Sequence, residues 1–377
     1  MRRKRGSAIA IAYDATVILA AVLAAAGIGA LVLGAIGADA AKTYGTIFAE
    51  PLKDLFGVTE VLVRAIPLSL VALGIAVAFR SGILNIGAEG QIQVGILAST
   101  AVALALPGLP KPILLPLCLV AGAAGGAAWA GIAGSLRARL GVNEILSTVM
   151  LNYIAGQLYT FLLRGPMIDP NELQTGSGTP QSMRLPKGAW LDRIIPGTRL
   201  HWGLAIAVAL AVAVYLLLWR TTAGFKLRAA GAEPKAARYA GIRVEGCLLA
   251  AMLVSGGFAG LAGAVEVAGV HRRAIEAISS GYGFTGVVVA LFGGLHPAGI
   301  LPAAAFFGLL LVGADMTQRS AGVPANMVLV LQGAVILALV SAKMYVGNAY
   351  ARARFERALG RLFHKSGRGG AGGEVTR

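Results

Sequence analysis

Runs of roughly 20 mostly apolar residues, each long enough to cross the hydrocarbon core of a bilayer, follow one another along most of this 377-residue chain. A backbone in lipid must satisfy its own polar groups, and a helix does so within a single segment. The runs lie near 14–37, 60–79, 91–107, 112–135, 143–163, 201–219, 247–269, 283–296, 297–314 and 323–342. They predict an all-α integral membrane protein with about ten transmembrane helices. The eighth and ninth runs are short and meet at Leu295-His296-Pro297, as half-helices that stop part-way would. Charged residues are 13% of the chain, against about 25% in a soluble domain, which leaves too little polar surface to face water. The 52 glycines fall inside apolar runs, where small residues let membrane helices approach closely. The opening MRRKRGSAIAIAYD has the look of a secretory leader with a cleavage site at Ala24 to Ala26, but its apolar run continues to Gly37. That exceeds the usual ~7–15 residues, so the run reads as an uncleaved first helix.

The net charge of +16 does not point to nucleic acid, because Lys and Arg gather at the chain ends and between runs. An even number of spans puts both termini on one side. Placing them in the cytoplasm gives that side Arg2, Arg3, Lys4, Arg5, Arg80, Arg137, Arg139, the set from Arg220 to Arg243, and the tail. The other side receives Lys42, Lys53, Arg64, Lys111, Arg164, the set from Arg184 to Arg199, Arg272, Arg273 and Arg319. The excess favours N-in, C-in. The chain then divides into a basic arm (1–13), a transmembrane domain (14–342) and a basic tail (343–377) whose glycine-rich end is expected to be disordered. Within the domain, 164–200 is an external loop with Trp190 and Trp202 as interfacial anchors, and 220–246 is the largest internal cytoplasmic loop. Cys118 and Cys247 read as small packing residues, and no metal site is expected.

Two interruptions carry the polar residues. Arg80-Ser-Gly-Ile-Leu-Asn-Ile-Gly-Ala-Glu-Gly-Gln91 joins two apolar runs without an ordinary loop, and a new helix is expected to start near Gly87. Irregular backbone at membrane depth survives only where protein or a water-filled cavity satisfies it, and polar side chains there tend to face a pathway. Asn85, Glu89, Gln91 and Gln93 are therefore candidate pathway residues; a tight cytoplasmic turn is the plainer reading. Gly281-Tyr-Gly-Phe-Thr-Gly and the following run to Gly293-Gly-Leu-His-Pro297 form a second interruption at a corresponding place in the second half, adding Tyr282, Phe284 and Thr285. Paired interruptions suggest two related halves with the substrate at their interface.

A third segment, Gly231 to Ile242, starts a short helix at Pro234, where proline is welcome, behind Glu233 at the positive end of the dipole. It is expected to stop near Gly241. Too short to be stable alone, it suits docking on a partner through a small-residue face of Ala236, Ala237 and Ala240, with Arg238 and Tyr239 at the groove walls; an interfacial helix on the bilayer is the alternative. Asn143, Glu144 and Asn152 lie at or after the start of the fifth run, and Glu144, near its boundary, suits helix capping as well as function. Glu266 and His271, near the outer end of the seventh run, are candidates for a gating or substrate role. Gly122/Gly126 and Gly256/Gly260 read as helix-packing faces. The sequence contains no Gly-x-x-x-x-Gly-Lys-Ser/Thr, so no ATP hydrolysis is expected from this chain.

Four of these stretches together resemble a known family. Pro67 to Gly95, Gly141 to Ala155, Ala229 to Ile242 and Gly281 to Ile300 are similar to the permease subunits of bacterial ABC importers for nucleosides and simple sugars, relatives of the branched-chain amino acid permeases. The resemblance covers about residues 60–340. It implies a multi-pass protein of the bacterial inner membrane with no cofactor of its own. ATP and Mg would be bound by a cytoplasmic ATPase partner, beside a second permease and an external substrate-binding lipoprotein. It also implies that Glu233, Pro234, Ala236, Ala237, Arg238, Tyr239 and Gly241 form the coupling helix. Ala232-Glu233 stands where an Asn-bearing start is expected in many relatives. An ion-coupled secondary transporter, relaying through Glu89, Glu144 and Glu266, is the alternative of a different class.

Overall fold

A computed structural model describes residues 37–321 apart from 177–178, with partial descriptions of 13–35 and 330–341. It forms two compact units, residues 46–316 and residues 1–45 with 317–377. The last apolar run and the basic arm and tail lie wholly or mostly outside the described residues. In the smaller unit, Ala26–Ala35 is a short apolar helix, and the Tyr44 hydroxyl donates to the Ala26 carbonyl at 2.7 Å.

The described elements are helical: α1 (Ala40–Ala49), α2 (Leu55–Arg80), α3 (Ala88–Ala105), α4 (Lys111–Leu140), α5 (Glu144–Arg164), α6 (Pro170–Thr175), α7 (Gly203–Arg220), α8 (Thr222–Ala232), α9 (Pro234–Tyr239), α10 (Val244–Glu266), α11 (Tyr282–Phe292) and α12 (Pro297–Ala321). Among the described residues, 6 helices are long and apolar enough to cross a membrane: α2, α4, α5, α7, α10 with its extension to His271, and α12. The third run forms α3, which starts beside Gly87 as expected. The eighth forms only the 11 residues of α11, roughly 16 Å against a ~30 Å hydrocarbon core. The ninth departs from expectation: α12 has 25 residues rather than a half-helix. Asp315 ends the apolar run but lies inside the helix, where its carboxylate meets Arg64. Arg64, assigned by sequence to an external segment, likewise lies inside α2.

Local chemistry sets the ends. The Asp54 carboxylate caps α2 by accepting from the Gly57 N–H at 2.6 Å. Asn143 caps α5 by accepting from Ile145 and Leu146, which settles its role as a cap. α2 is the central helix, buried along nearly its whole length.

One of its neighbours, α10, meets α3 and α4 backbone to backbone. A Cβ added at Gly126 would overlap the Gly256 carbonyl, one at Gly260 would overlap the Gly122 carbonyl, and one at Gly95 would overlap the Gly260 backbone. The glycine pairs are helix-packing faces, as their spacing predicted. Cys118 is buried and Cys247 partly so, both as free thiols.

The 164–200 loop packs on the segment after α10. Its Ser182, Leu185 and Leu191 N–H groups donate to the carbonyls of Ala274, Arg272 and Ala268. The guanidinium groups of Arg184 and Arg272 both lie over the Trp190 ring, at 4.9 and 4.0 Å from its centroid, while Trp202 is exposed.

Candidate translocation site

The first interruption does not turn at the bundle surface. After Gly82, at φ 79°, the chain runs extended into the protein, and Asn85 is 0% exposed. The Asn85 amide nitrogen donates to Gln91 Oε1 at 2.9 Å and to Ser255 Oγ at 2.8 Å. In return Asn85 Oδ1 accepts from Gln91 Nε2 at 3.0 Å and from the Gly87 N–H at 2.9 Å. Ser255 lies half-way along the 23-residue α10, so this amide clasp sits deep in the bundle. Asn152 braces it from α5, donating to the Ile86 carbonyl at 2.9 Å and accepting from the Gly90 N–H at 2.8 Å. These bonds satisfy irregular backbone where water does not reach. The clasp buries Asn85 and Gln91 against protein. Gln93 is half-buried, with Oε1 enclosed and without a hydrogen-bond partner.

The second interruption meets the first in space. Gly281, at φ 76°, opens α11, and the Glu89 carboxylate accepts from the Gly283 N–H at 2.8 Å, a favourable place for negative charge at a helix start. A Cβ at Gly283 would overlap the backbone of Glu89. At the far end of α11, Arg80 donates to the carbonyls of Gly294 and Leu295 at 3.2 Å each. Both ends of α11 are therefore tied to the first interruption. Tyr282 is buried, and its hydroxyl accepts from Arg64 at 2.7 Å; Thr285 is half-buried and Phe284 exposed.

Toward the loop end, a cavity of about 190 Å³ is lined by Arg64, Arg199, Glu266, His271 and Glu276 among others. Arg199 reaches from the loop to clamp Glu60 with two of its three guanidinium nitrogens, Nε to Oε1 at 2.8 Å and Nη2 to Oε2; Glu60 is only 5% exposed. Arg64 joins Asp315 at 3.0 Å, His271 joins Glu266 at 3.4 Å, and Arg164 joins Glu276 at 3.2 Å. His271 sits in a π-turn, Val267–His271, that extends α10; such turns frequently mark functional positions. Glu266 and His271 were legible in the sequence as a pair. Glu60, Arg64 and Arg199 were not, since their partners are far away along the chain. His201 is buried beside this rim, accepting from the Gly203 N–H at 3.1 Å. Burial lowers its pKa, opposed by the charge of Glu266.

At the opposite end, the 220–246 segment carries two helices, α8 and the short α9 that starts at Pro234 as expected. Thr221 caps α8 by accepting from Gly224 at 3.1 Å. Gly231 packs directly on Arg80, Ser81 and Gly82, with no room for a Cβ. Then α9 begins at Pro234 behind Glu233, which makes no side-chain cap bond, and Gly241 at φ 79° closes the turn. Ala237 does not lie on a docking face with Ala236 and Ala240. It is 4% exposed and packs on Ala230 and Val244, because this six-residue helix must bury one side to stay folded. Tyr239 is 95% exposed, Ala236 and Ala240 are exposed, and Arg238 pairs with Glu245.

No group of three or more metal-ligating side chains occurs among the described residues. Interrupted helices that meet inside an apolar bundle suit passage rather than bond-making, and the class is that of a multi-pass membrane permease. Residues 57–340 match the family described as "Branched-chain amino acid transport system / permease component", and the chain belongs to that family, whose members are permease components rather than catalytic subunits. It is 40% identical to the glucose ABC transporter permease protein TsgB13 of Haloferax volcanii, over 91% of this chain and 92% of that protein. It is 36% identical to the guanosine ABC transporter permease protein NupP of Bacillus subtilis, over 86% and 92%. With the nucleoside ABC transporter permease protein NupB of Lactococcus lactis it shares 35%, over 82% and 86%.

Proposed function

We propose that this chain is the permease subunit of an ATP-driven importer that carries nucleosides across the inner membrane. The junction of the two interruptions carries the permease reading; the guanosine and nucleoside relatives, at 36% and 35% identity, support the substrate class. Simple sugars are the second reading, favoured by the glucose relative at 40%. A cytoplasmic ATPase holding ATP and Mg, a second permease and an external lipoprotein complete the assembly. The domain is taken as 14–342 with about ten helices, both termini in the cytoplasm.

In this reading α9 docks on the ATPase through Tyr239, Arg238 and Ala236, with Ala237 as its anchor. Gly231 on Arg80 and Gly82 provides a route from that dock to the amide clasp and to α11. Asn85, Glu89, Gln91, Gln93, Tyr282, Phe284 and Thr285 border or latch the passage.

Radiolabelled guanosine uptake in a strain with the full operon tests the substrate. Competition by glucose or ribose but by no nucleoside moves it to sugars. Uptake that survives deletion of the ATPase overturns the ABC mechanism in favour of ion coupling. Reporter fusions after Arg228 and after Lys187 should report opposite sides, and a cysteine at Tyr239 should crosslink to the ATPase.

A further inference from the structure

An apolar groove of about 350 Å³ runs between α7 and the start of α12, walled by Val208, Ala211, Val212 and Leu301 and ending at Tyr215 and His296. Beyond that end the lining changes character. Tyr215 and His296 both pack on Trp219, at ring-centroid distances of 5.6 and 4.8 Å. Two guanidinium groups then face the Trp219 ring, Arg80 at 5.3 Å and Arg228 at 5.9 Å. Neither arginine has a carboxylate partner among the described residues, and Arg228 Nε is enclosed without a hydrogen bond. A polar solute gains nothing from the groove, and an apolar one gains nothing from the arginines. One ligand class matches both: an acyl chain with a negatively charged head.

We infer that this groove is a binding site for an anionic phospholipid of the leaflet at the Arg80 end, cytoplasmic in the orientation proposed above. The acyl chain lies along α7 and the phosphate meets Arg80 and Arg228 over Trp219. Val208, Val212 and Leu216 are all exposed at four-residue spacing, giving α7 an apolar stripe continuous with the groove, open to lipid. Basic pockets between helices at the cytoplasmic face suit anionic head groups. The chain's own ends make poor occupants, since the N-terminal arm carries Arg2, Arg3, Lys4 and Arg5 and the tail carries Arg352, Arg354, Arg357 and Arg361. These would repel the two arginines. Arg80 also holds the end of α11, so an occupied site would steady the same arginine that ties the two interruptions together.

The test is native mass spectrometry of the full-length chain, exchanged in mild detergent against equal phosphatidylglycerol and phosphatidylethanolamine. Retention of phosphatidylglycerol over phosphatidylethanolamine is expected. Arg228→Gln should lower that preference roughly fivefold, the worth of one basic residue at a membrane surface, while total lipid retention stays near wild type. Val212→Trp, at an exposed position, should reduce retention of both lipids. A monodisperse elution profile for each variant separates lost binding from lost fold. Equal retention of the two lipids, or no change in either variant, overturns the proposal. So does a photocrosslinker at Val212 that labels residues 322–377 or another protein in the membrane instead of lipid.

Discussion

The amide clasp at Asn85 and the ionic rim around Glu266 hold the same bundle by opposite means. The clasp is neutral, deep and closed: two amides exchange hydrogen bonds, a serine from α10 accepts from one of them, and an asparagine from α5 bonds the adjoining backbone. The rim is charged, lies near one end, and leaves a cavity open. Charge is costly in the middle of a bilayer and much less so near its edge, so each kind of contact lies where it is affordable. Neutral bonds also exchange partners without stranding a charge. The deep closure can thus rearrange at modest cost, whereas the rim breaks only where water or another charge replaces the lost partner.

Four variants press on that difference, and the largest effect should come from the junction. Gly283→Val drives a side chain into the backbone of Glu89. Backbone cannot step aside, so a loss of about 3 kcal/mol, the upper end for overpacking, is expected in the thermal midpoint, together with abolished uptake; wild-type uptake would break the claim that the interruptions work as one unit. Asn85→Ala strands the Gln91 amide and the Gly87 N–H, at roughly 1–3 kcal/mol for groups left unsatisfied, and that loss should be the same at low and high salt. Arg199→Gln should cost about 1 kcal/mol at low ionic strength and less as salt rises, since Arg199 is partly exposed. Salt dependence at Asn85, or its lack at Arg199, would dissolve the contrast. The smallest effect concerns His201, whose folded-state pKa burial depresses. As pH falls the unfolded chain takes up the proton first, so the stabilisation is present above about pH 6.5 and lost below it. A pH series of thermal midpoints should decline on the acid side, and H201Q should remove that slope.

The deep half of this contrast was largely legible in the sequence. Polar residues and glycines break an apolar run at 80–91, and glycines break another at 281–297; local pattern alone marks both. That the second interruption touches the first was suggested by their corresponding positions, but Glu89 on the Gly283 N–H is a contact no spacing encodes. The rim was mostly invisible. Arg64 and Asp315 are 251 positions apart, and Glu60 and Arg199 are 139 apart. Each looked like a charge at the edge of a hydrophobic run, and Asp315 made the ninth run seem to end early. The face of α9 was misread for a different reason. A row of alanines shows which positions are small, but not which of them must be buried for six residues to hold together, and Ala237 is the one that is.

The contact of α3, α4 and α10 has a consequence for how such a machine can move. Side chains slide past one another by changing rotamers, but carbonyl oxygens resting on glycine backbones have nothing to change. Gly95, Gly122, Gly126, Gly256 and Gly260 therefore make a fulcrum: a fixed post that neither telescopes nor unscrews. In the permease reading, opening swings other helices about that post, with α11, tied at both ends to the first interruption and packed between them on Val71 of α2, carried along with α2.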